Sequence, residues 1–360
     1  MSEKVLVAMS GGVDSSVSLL RILEAGYDPV GVTMKLWSNS SINSNNEQDN
    51  SCCGIEEING AKLVCSQFGV PHYTIDFTKV FKEEVVNNFS SEYFAGRTPN
   101  PCIRCNSYVK WDAFIEQADK MNIKYIATGH YAIVEKKNNN YFLKKGIDPK
   151  KDQSYVLWGI PKDTLKRTIF PIGDLTKKQV RKIAKENDLA TASSPESMEI
   201  CFVTDNNYKN FLSNYNPKKM SSINEGDIIE NNKKVGTHPG YINYTLGQRK
   251  GLNLSNPEPR YVSKIDSKNN TITVGKKKSI YKQECYVDQL NLLVNDLQLP
   301  IKINAKIRYN TFGGIATLSK EKDKFKLSFD EPQLAITPGQ SAVFYDNDIV
   351  LGGGIIELNK

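Results

Sequence analysis

Short apolar runs alternate with longer amphipathic segments over residues 1–130. The apolar runs predict strands at 4–9, 29–36, 71–76 and 124–128, and the amphipathic segments predict helices at 14–25, 55–68, 81–94 and 106–121. Strands that alternate with helices of this length indicate an α/β fold with a doubly wound parallel sheet. Ligands bind outside the carboxyl ends of such strands, so we expect Ser10–Ser15, Met34 and Gly129-His130 to line one crevice.

The pattern changes along the rest of the chain. A hairpin is predicted at 131–145, and a basic helical segment is predicted from 152 to about 187. Beyond about residue 205, short alternating runs separated by Asn and Gly predict strands, and those of the last 80 residues favour a small antiparallel β-barrel. We therefore expect three domains, 1–204 with the parallel sheet and the basic segment, 205–280 as a small central domain, and 281–360 as the barrel.

Composition narrows the class of protein. The chain is 39% apolar and 24% charged, as in globular proteins, and no apolar run approaches the roughly 18 residues of a membrane helix. The beginning does not have the form of a signal peptide, and seven cysteines, an odd number, favour reduced thiols over a disulfide framework. We expect a cytoplasmic, monomeric protein without a membrane partner.

The positive charge is concentrated in one part of the chain. The net charge is +7, and residues 121–190 alone hold 15 Lys/Arg against 7 Asp/Glu, so the remainder is almost balanced. Two interpretations remain open: a solvated basic surface, or an electrostatic footprint for a polyanion such as RNA.

A glycine motif follows the first predicted strand. The string Ser10-Gly11-Gly12-Val13-Asp14-Ser15-Ser16 lets backbone N–H groups and a helix N-terminus approach a phosphate group. It has no Gly-Lys-Ser/Thr ending and is not a Walker A loop, and an ordinary capped glycine turn is the alternative. The string resembles the PP-loop of ATP pyrophosphatases, which implies ATP as substrate and Asp14 as a partner of Mg²⁺ on the pyrophosphate.

Cysteines mark two further segments. In Thr98–Asn106, two prolines predict a rigid loop, and Cys105 is expected at a helix start, where the dipole lowers the pKa of a thiol. Half of a zinc site is the alternative for Cys102 and Cys105, although no second ligand pair completes it. Cys201 follows a Ser-rich loop, and a buried small side chain is its alternative.

An ATP loop, three thiols and a basic stretch together predict sulfur chemistry on RNA. Adenylation turns a uracil oxygen into a good leaving group, a persulfide attacks, and a second thiol releases the sulfur by forming a disulfide.

The whole chain resembles the bacterial tRNA-specific 2-thiouridylase family. The motifs that carry this resemblance are Met9–Ser16, Thr98–Asn106, Ala127–Tyr131, Lys151–Tyr155, Ile200–Phe202, Tyr244–Leu252, Arg308-Tyr309, Pro338–Ala342 and Leu351–Gly354. The resemblance implies 2-thiolation of the wobble uridine of lysine, glutamate and glutamine tRNAs, with release of AMP and pyrophosphate. It also implies that a sulfur-carrier protein or a cysteine desulfurase supplies the persulfide.

The resemblance also implies roles for individual residues. Cys105 matches the nucleophile and Cys201 the cysteine that carries the persulfide. ATP-binding positions correspond to Ala8, Met9, Ser10, Gly11, Gly12, Val13, Asp14, Ser15, Met34 and Gly129. The target base corresponds to Asn100, Pro101 and Cys102, and tRNA contacts correspond to His130, Lys151, Asp152, Gln153, Arg308, Tyr309 and Gln340.

The sequence departs from the family at Cys102, where many relatives have Asp, so a base-activating role of that Asp does not transfer. Cys102, Cys105 and Cys201 could instead hold an iron–sulfur cluster. A PP-loop ligase acting on a small molecule and an RNA-binding protein with a relic ATP loop are further alternatives. No function is assigned to the Ser/Asn-rich loop at 38–50.

Overall fold

The computed structural model describes residues 2–37, 54–195, 200–203, 205, 207–255 and 257–358. The loop at 38–50 and part of the segment before Cys201 lie outside the described residues. The first elements are β1 Lys4–Ala8, α1 Val13–Glu24, β2 Asp28–Lys35, α2 Ile55–Gln67 and β3 His72–Asp76.

Two long helical stretches precede the fourth strand. The first consists of α3 Thr78–Phe81, a π-helical part Lys82–Val86 and α4 Asn87–Phe94. The second consists of α5 Pro101–Arg104, a π-helical part Cys105–Ala113 and α6 Phe114–Lys120, followed by β4 Tyr125–Ala127. The second stretch begins at Pro101, five residues before the predicted start at 106, because Asn100 caps it and proline suits a first helical position.

The basic segment differs from its prediction. After the predicted hairpin, formed by β5 Ala132–Lys137 and β6 Asn140–Lys145, come 3₁₀ turns at Ser154–Leu157 and Lys162–Arg167, β7 Thr168–Ile169 and α7 Lys177–Glu186. The prediction of one helical segment over 152–187 is therefore wrong, and only α7 is an α-helix. Pro161 and Pro171 interrupt the segment, since proline removes a backbone donor and restricts the preceding residue.

The predicted parallel sheet is confirmed. Its order is β3-β2-β1-β4-β7, and every neighbouring pair is parallel. The middle three residues of β1 are fully buried, as expected for a strand with helices on both faces.

A small second sheet follows. Its elements are α8 Tyr208–Tyr215, α9 Pro217–Ser221, β8 Gly226–Glu230, β9 Lys233–His238, β10 Tyr261–Asp266 and β11 Thr271–Gly275, with 3₁₀ turns at Tyr241–Asn243 and Lys277–Ile280. The strand order is β10-β11-β8-β9.

The predicted antiparallel barrel is also confirmed. Six strands form it: β12 Tyr281–Leu292, β13 Ile301–Lys306, β14 Gly314–Glu321, β15 Lys324–Leu334, β16 Ser341–Asp346 and β17 Ile349–Glu357. The pairing of β12 with β17 closes the order β12-β15-β14-β13-β16-β17. Alternate residues of β13 point inward, with Ile303 and Ala305 buried and Lys302 exposed.

The barrel is joined to the N-terminal part of the chain by strand pairing and by a shared apolar cluster. The β5–β6 hairpin extends the barrel sheet through the pair Lys144 and Ile349. One buried cluster contains residues of all three parts, among them Trp111, Ile228 and Tyr345. Within the described residues, no helix has the length and apolar character needed to cross a membrane.

Candidate active site

The glycine loop between β1 and α1 is a tight, internally bonded turn. The Ser15 hydroxyl accepts from the Ser10 backbone N–H at 3.2 Å and donates to the Gly12 carbonyl at 2.9 Å. Gly11 has φ +76°, and a Cβ there would lie 2.1 Å from the Glu57 carbonyl oxygen, so only glycine fits. Gly12 precedes α1 and offers no side-chain cap, which leaves the first-turn N–H groups of the helix to bind an anion.

The neighbouring strand ends meet this loop. A Cβ at Gly129, after β4, would lie 3.0 Å from the Ser15 backbone nitrogen, so the two segments are in close contact. The Met9 carbonyl accepts a hydrogen bond from Thr33 at 2.8 Å, and Met34 follows on β2, largely buried. The structure thus brings the predicted ATP-binding residues to one edge of the sheet.

The Asp14 carboxylate has two partners that sequence analysis missed. Both of its oxygens accept from the Lys177 ammonium at 2.8 Å, and Oδ1 also accepts from the Tyr131 hydroxyl at 2.7 Å. Lys177 is the first residue of α7, in a segment whose many lysines look alike in sequence. The only local signal is the helix-start pattern of Thr176 and Gln179, which form a capping box.

The two cysteines of the proline loop occupy different environments. Asn100 caps the helix by accepting from the Cys102 N–H at 3.2 Å, so Cys102 lies in the first turn and Cys105 one turn further. The expectation that Cys105 stands at the helix start is therefore wrong, because the helix begins at Pro101. Part of the Cys102 residue is open to solvent although protein atoms surround its thiol, whereas Cys105 is only 7% exposed.

Cys201 lies on a turn held by an aromatic anchor. The Cys201 side chain is exposed, while the next residue, Phe202, is 2% exposed. The Phe202 ring packs against an aromatic cluster, with centroid distances of 5.6 Å to Phe81, 5.1 Å to Phe89 and 5.1 Å to Phe211. The packing of Phe202 fixes the position of the Cys201 turn, although the turn is more than 90 residues from Cys102 along the chain.

Cys102 and Cys201 lie close enough to influence each other's charge. The pKa of the Cys102 thiol is raised, first because neighbouring protein atoms desolvate it and second because negative charge on Cys201 opposes its ionisation. Lys110 acts in the opposite direction. The structure therefore brings the Cys201 turn to the helix that carries Cys102 and Cys105.

The barrel holds the loop that precedes Cys102. The Gln340 amide donates to the carbonyl oxygens of Thr98 at 2.9 Å and Pro99 at 3.2 Å. The Thr98 N–H donates to the Pro338 carbonyl at 3.0 Å, and Gly339 has φ +86°. A side chain at Gly339 would crowd the Thr98 carbonyl, so glycine permits this close approach.

Several residues with predicted tRNA contacts cluster beside Cys102. The Tyr309 hydroxyl donates to the Asp152 carbonyl at 2.9 Å, and burial, Asp152 and then Cys102 raise the pKa of Tyr309. The Asp152 carboxylate in turn accepts from the N–H and the hydroxyl of Ser154, the first residue of the next 3₁₀ turn. Tyr309 still keeps 37% of its surface exposed, so part of its ring is accessible to a ligand on this surface.

Other predicted contact residues have structural partners. The Arg308 guanidinium donates to the Ala335 carbonyl at 2.6 Å, and Gln153 accepts from the Tyr131 N–H at 3.0 Å. His130 is buried against Trp111 and Phe170, and burial lowers the pKa of its imidazole well below the ordinary value, with Lys110 adding to the effect. Lys151 is half-buried. Any contact of His130 with tRNA stays a prediction.

The basic stretch is partly neutralised in the fold. Lys144 pairs with Glu135 at 3.2 Å and with Asp348 at 3.1 Å, and Arg167 pairs with Asp119. Other cations of the stretch remain at the surface, and the exposed lysines are Lys124, Lys136, Lys137, Lys150, Lys166, Lys178, Lys182 and Lys185.

The described His, Cys, Asp and Glu side chains near Cys102 and Cys105 do not form a metal centre. In the part of the chain that the structure describes, no group of three or more His, Cys, Asp or Glu side chains is placed to hold a metal ion. The iron–sulfur alternative thus has no support from the geometry. At the glycine loop, the open N-terminus of α1 suits a phosphate group. The Asp14 carboxylate has oxygens of the kind that Mg²⁺ prefers, and in this structure both of them accept from Lys177.

Comparisons with known proteins define the class. Family models match along the chain: tRNA methyl transferase HUP domain at residues 3–205, tRNA methyl transferase PRC-barrel domain at 209–276, and aminomethyltransferase beta-barrel domain at 282–356. This order of domains defines a tRNA-modifying enzyme with an N-terminal nucleotide-binding domain of the PP-loop type.

Full-length relatives define the family. The chain is 43% identical to the tRNA-specific 2-thiouridylase MnmA of Clostridioides difficile strain 630, with 99% of each chain covered. It is 45% identical to the protein of that name from Carboxydothermus hydrogenoformans, covering 99% of this chain and 98% of the relative. The chain belongs to the tRNA-specific 2-thiouridylase family and is by family a tRNA sulfurtransferase.

Solved structures that align with the chain include distant matches. The U34-tRNA thiolase NcsA from Methanococcus maripaludis, solved with its [4Fe-4S] cluster, aligns with a TM-score of 0.33 and 16% identity. The alignment covers 61% of this chain and 69% of that one, and carries no argument about the site.

Proposed function

We propose that the protein replaces the 2-oxygen of the wobble uridine in lysine, glutamate and glutamine tRNAs with sulfur, at the expense of ATP. The observation that carries this proposal is that one fold holds a phosphate-binding glycine loop at the sheet edge and also holds Cys102 and Cys201 close enough for their charges to interact. Membership of the 2-thiouridylase family supports the choice of substrate.

The first half-reaction uses the edge of the parallel sheet. ATP binds at Ala8–Ser15, Met34 and Gly129, with its phosphates at the N-terminus of α1 and Mg²⁺ near Asp14. The uridine O2 attacks the α-phosphorus, the bond to pyrophosphate breaks, and the base carries AMP as a leaving group.

The second half-reaction uses two cysteines. The terminal sulfur of a Cys201 persulfide attacks C2 of the base, and AMP departs with the oxygen. The Cys105 thiolate then attacks the Cys201 sulfur, which leaves sulfur on the base and a Cys105–Cys201 disulfide. A thiol reductant returns both cysteines to the reduced state, and a sulfur-carrier protein or cysteine desulfurase reloads Cys201.

Recognition of tRNA involves the surface beside these cysteines. Asn100, Pro101 and Cys102 face the target base, which is presented out of its stack. The exposed Tyr309 and the surface lysines of residues 121–190 support a contact with the tRNA body on this side. We propose 1–204 as the catalytic domain, with 205–280 and 281–360 completing the tRNA-binding surface.

Mass spectrometry of tRNA nucleosides tests the proposal. Purified protein is incubated with ATP, Mg²⁺, tRNA and a persulfide donor, and 2-thiouridine derivatives, AMP and pyrophosphate are measured together. Equimolar AMP, pyrophosphate and 2-thiouridine support it. Release of ADP and phosphate, or an unmodified wobble uridine under all donor conditions, contradicts it.

A further inference from the structure

The ion pair between Asp14 and Lys177 joins two parts of the chain that are 163 residues apart. Asp14 is the second residue of α1, at the helix end where the phosphates of ATP are proposed to bind. The Lys177 ammonium lies 2.8 Å from each carboxylate oxygen, and the Lys177 side chain is only 13% exposed. The Asp14 side chain is 33% exposed, so water screens the pair in part, and this charge-assisted contact is stronger than a fully exposed surface pair.

Hydrogen bonds at the start of α7 and the packing of α7 against α1 hold Lys177 in place. The Thr176 and Gln179 capping box fixes the first turn of α7, and the Lys177 N–H donates to the Asp148 carboxylate at 3.0 Å. Val180 and Ala184 of α7 are buried in the same apolar cluster as Val13 and Val17 of α1. The two helices therefore present Lys177 to Asp14 as one rigid unit.

The negative charge of Asp14 opposes the binding of ATP at the neighbouring glycine loop. A carboxylate beside the binding place of a triphosphate repels it, unless a cation lies between or beside them. The Tyr131 hydroxyl orients Oδ1 but adds no charge. Mg²⁺ is the cation proposed between this carboxylate and the phosphates, and Lys177 is the cation that the structure places beside the carboxylate.

We propose that Lys177 is a positioning residue of the ATP site, which orients the Asp14 carboxylate and compensates its charge so that the glycine loop accepts a triphosphate. This inference rests on the proposed function, since it assumes that ATP binds at the loop. It adds a residue from α7, outside the glycine motif and outside the cysteine segments.

Equilibrium binding of Mg–ATP to the full chain, without tRNA, tests the role of Lys177. Lys177→Met removes the charge at nearly constant length and should weaken ATP binding by roughly ten- to a hundredfold, the range of a lost charged hydrogen bond. Lys177→Arg keeps the charge and should recover most of the affinity. Lys178→Met, on the exposed side of the same turn, is the matched control and should bind ATP as the wild type does.

A double-mutant cycle shows whether Lys177 acts through Asp14. In an Asp14→Asn background, the further change Lys177→Met should alter ATP affinity by about twofold or less, because no carboxylate charge remains to compensate. The tRNA affinity of the Lys177 and Asp14 variants should stay near that of the wild type if the effect is local, and the melting temperature of every variant shows whether it is folded.

The outcomes separate this proposal from the function on which it rests. If Lys177→Met binds ATP as tightly as the wild type, or weakens it equally with and without the Asp14 carboxylate, the role of Lys177 is refuted and the proposed function stands. If the wild type does not bind ATP, both are refuted. If Lys177→Met is unstable, the comparison of wild type with Lys177→Arg and Lys177→Gln decides, since only Gln should weaken binding.

Discussion

Replacing Gln340 by alanine removes both hydrogen bonds by which the barrel holds the Thr98–Pro99 backbone. Neutral hydrogen bonds of this kind contribute about 0.5–1.5 kcal/mol each, so the loop loses about 1–3 kcal/mol of positioning energy. If that energy keeps Cys102 and Cys105 aligned in the transition state, kcat should fall by roughly 5- to 150-fold.

Single-turnover thiolation and tRNA binding, measured side by side, distinguish positioning from direct contact. Gln340→Ala should lower the rate of 2-thiouridine formation while the Kd for tRNA stays within about twofold, because the amide is engaged with Thr98 and Pro99. Gln340→Glu should be at least as impaired, since a carboxylate cannot donate to a carbonyl. Gln333→Ala is the control, because the Gln333 amide donates to the nearby Glu331 carbonyl at 2.8 Å within the barrel. An unchanged rate with a weakened Kd would refute positioning and show that Gln340 contacts tRNA.

The remaining predictions concern the cysteines, their anchor and the tRNA surface. Cys105→Ser should abolish thiolation while Cys102→Ser retains much of it; the reverse ranking, measured by nucleoside mass spectrometry, would assign the nucleophile to Cys102. Alkylation of Cys102, followed by peptide mass spectrometry, should have a pH midpoint above that of an unperturbed thiol, because its raised pKa means less thiolate at a given pH; a midpoint at or below the unperturbed value contradicts the surroundings described. Phe202→Ala should cost about 3–5 kcal/mol of unfolding free energy in a denaturant titration, since a buried ring is lost from an aromatic cluster; a loss below about 1 kcal/mol would show that the cluster does not anchor the Cys201 turn. Affinity for tRNA should fall by about 0.7–0.9 log units per phosphate contact for each tenfold rise in salt, and a flat dependence would contradict a polyanion surface.

The alternation of apolar and polar positions was sufficient to predict the parallel sheet and the barrel. Most strands of those sheets carry their own pattern, such as the inward Ile303 and Ala305 of β13, whereas the short β7 lies in a segment that was predicted to be helical. Local chemistry also identified the glycine loop, since Gly11 is required by a positive φ that other residues rarely adopt.

Local reasoning was wrong where two signals competed. Basic residues with helical spacing predicted one helix over 152–187, but Pro161 and Pro171 divide that segment into short turns and a strand before α7. Similarly, the helix that carries Cys105 starts at Pro101, because the Asn100 cap precedes the apolar pattern that was used to find it.

The sequence by itself thus determined the order of elements, the phosphate-binding loop, the three cysteines of interest and the family. Only the tertiary structure decided which distant residues come together: Lys177 bonds to Asp14, Gln340 bonds to the Thr98 backbone, and Cys201 lies near enough to Cys102 to affect its charge. The physical reason is that secondary structure follows from neighbours along the chain, whereas these contacts join residues more than 90 positions apart. Their partners are selected by the packing of helices, sheet and barrel, which no local pattern specifies.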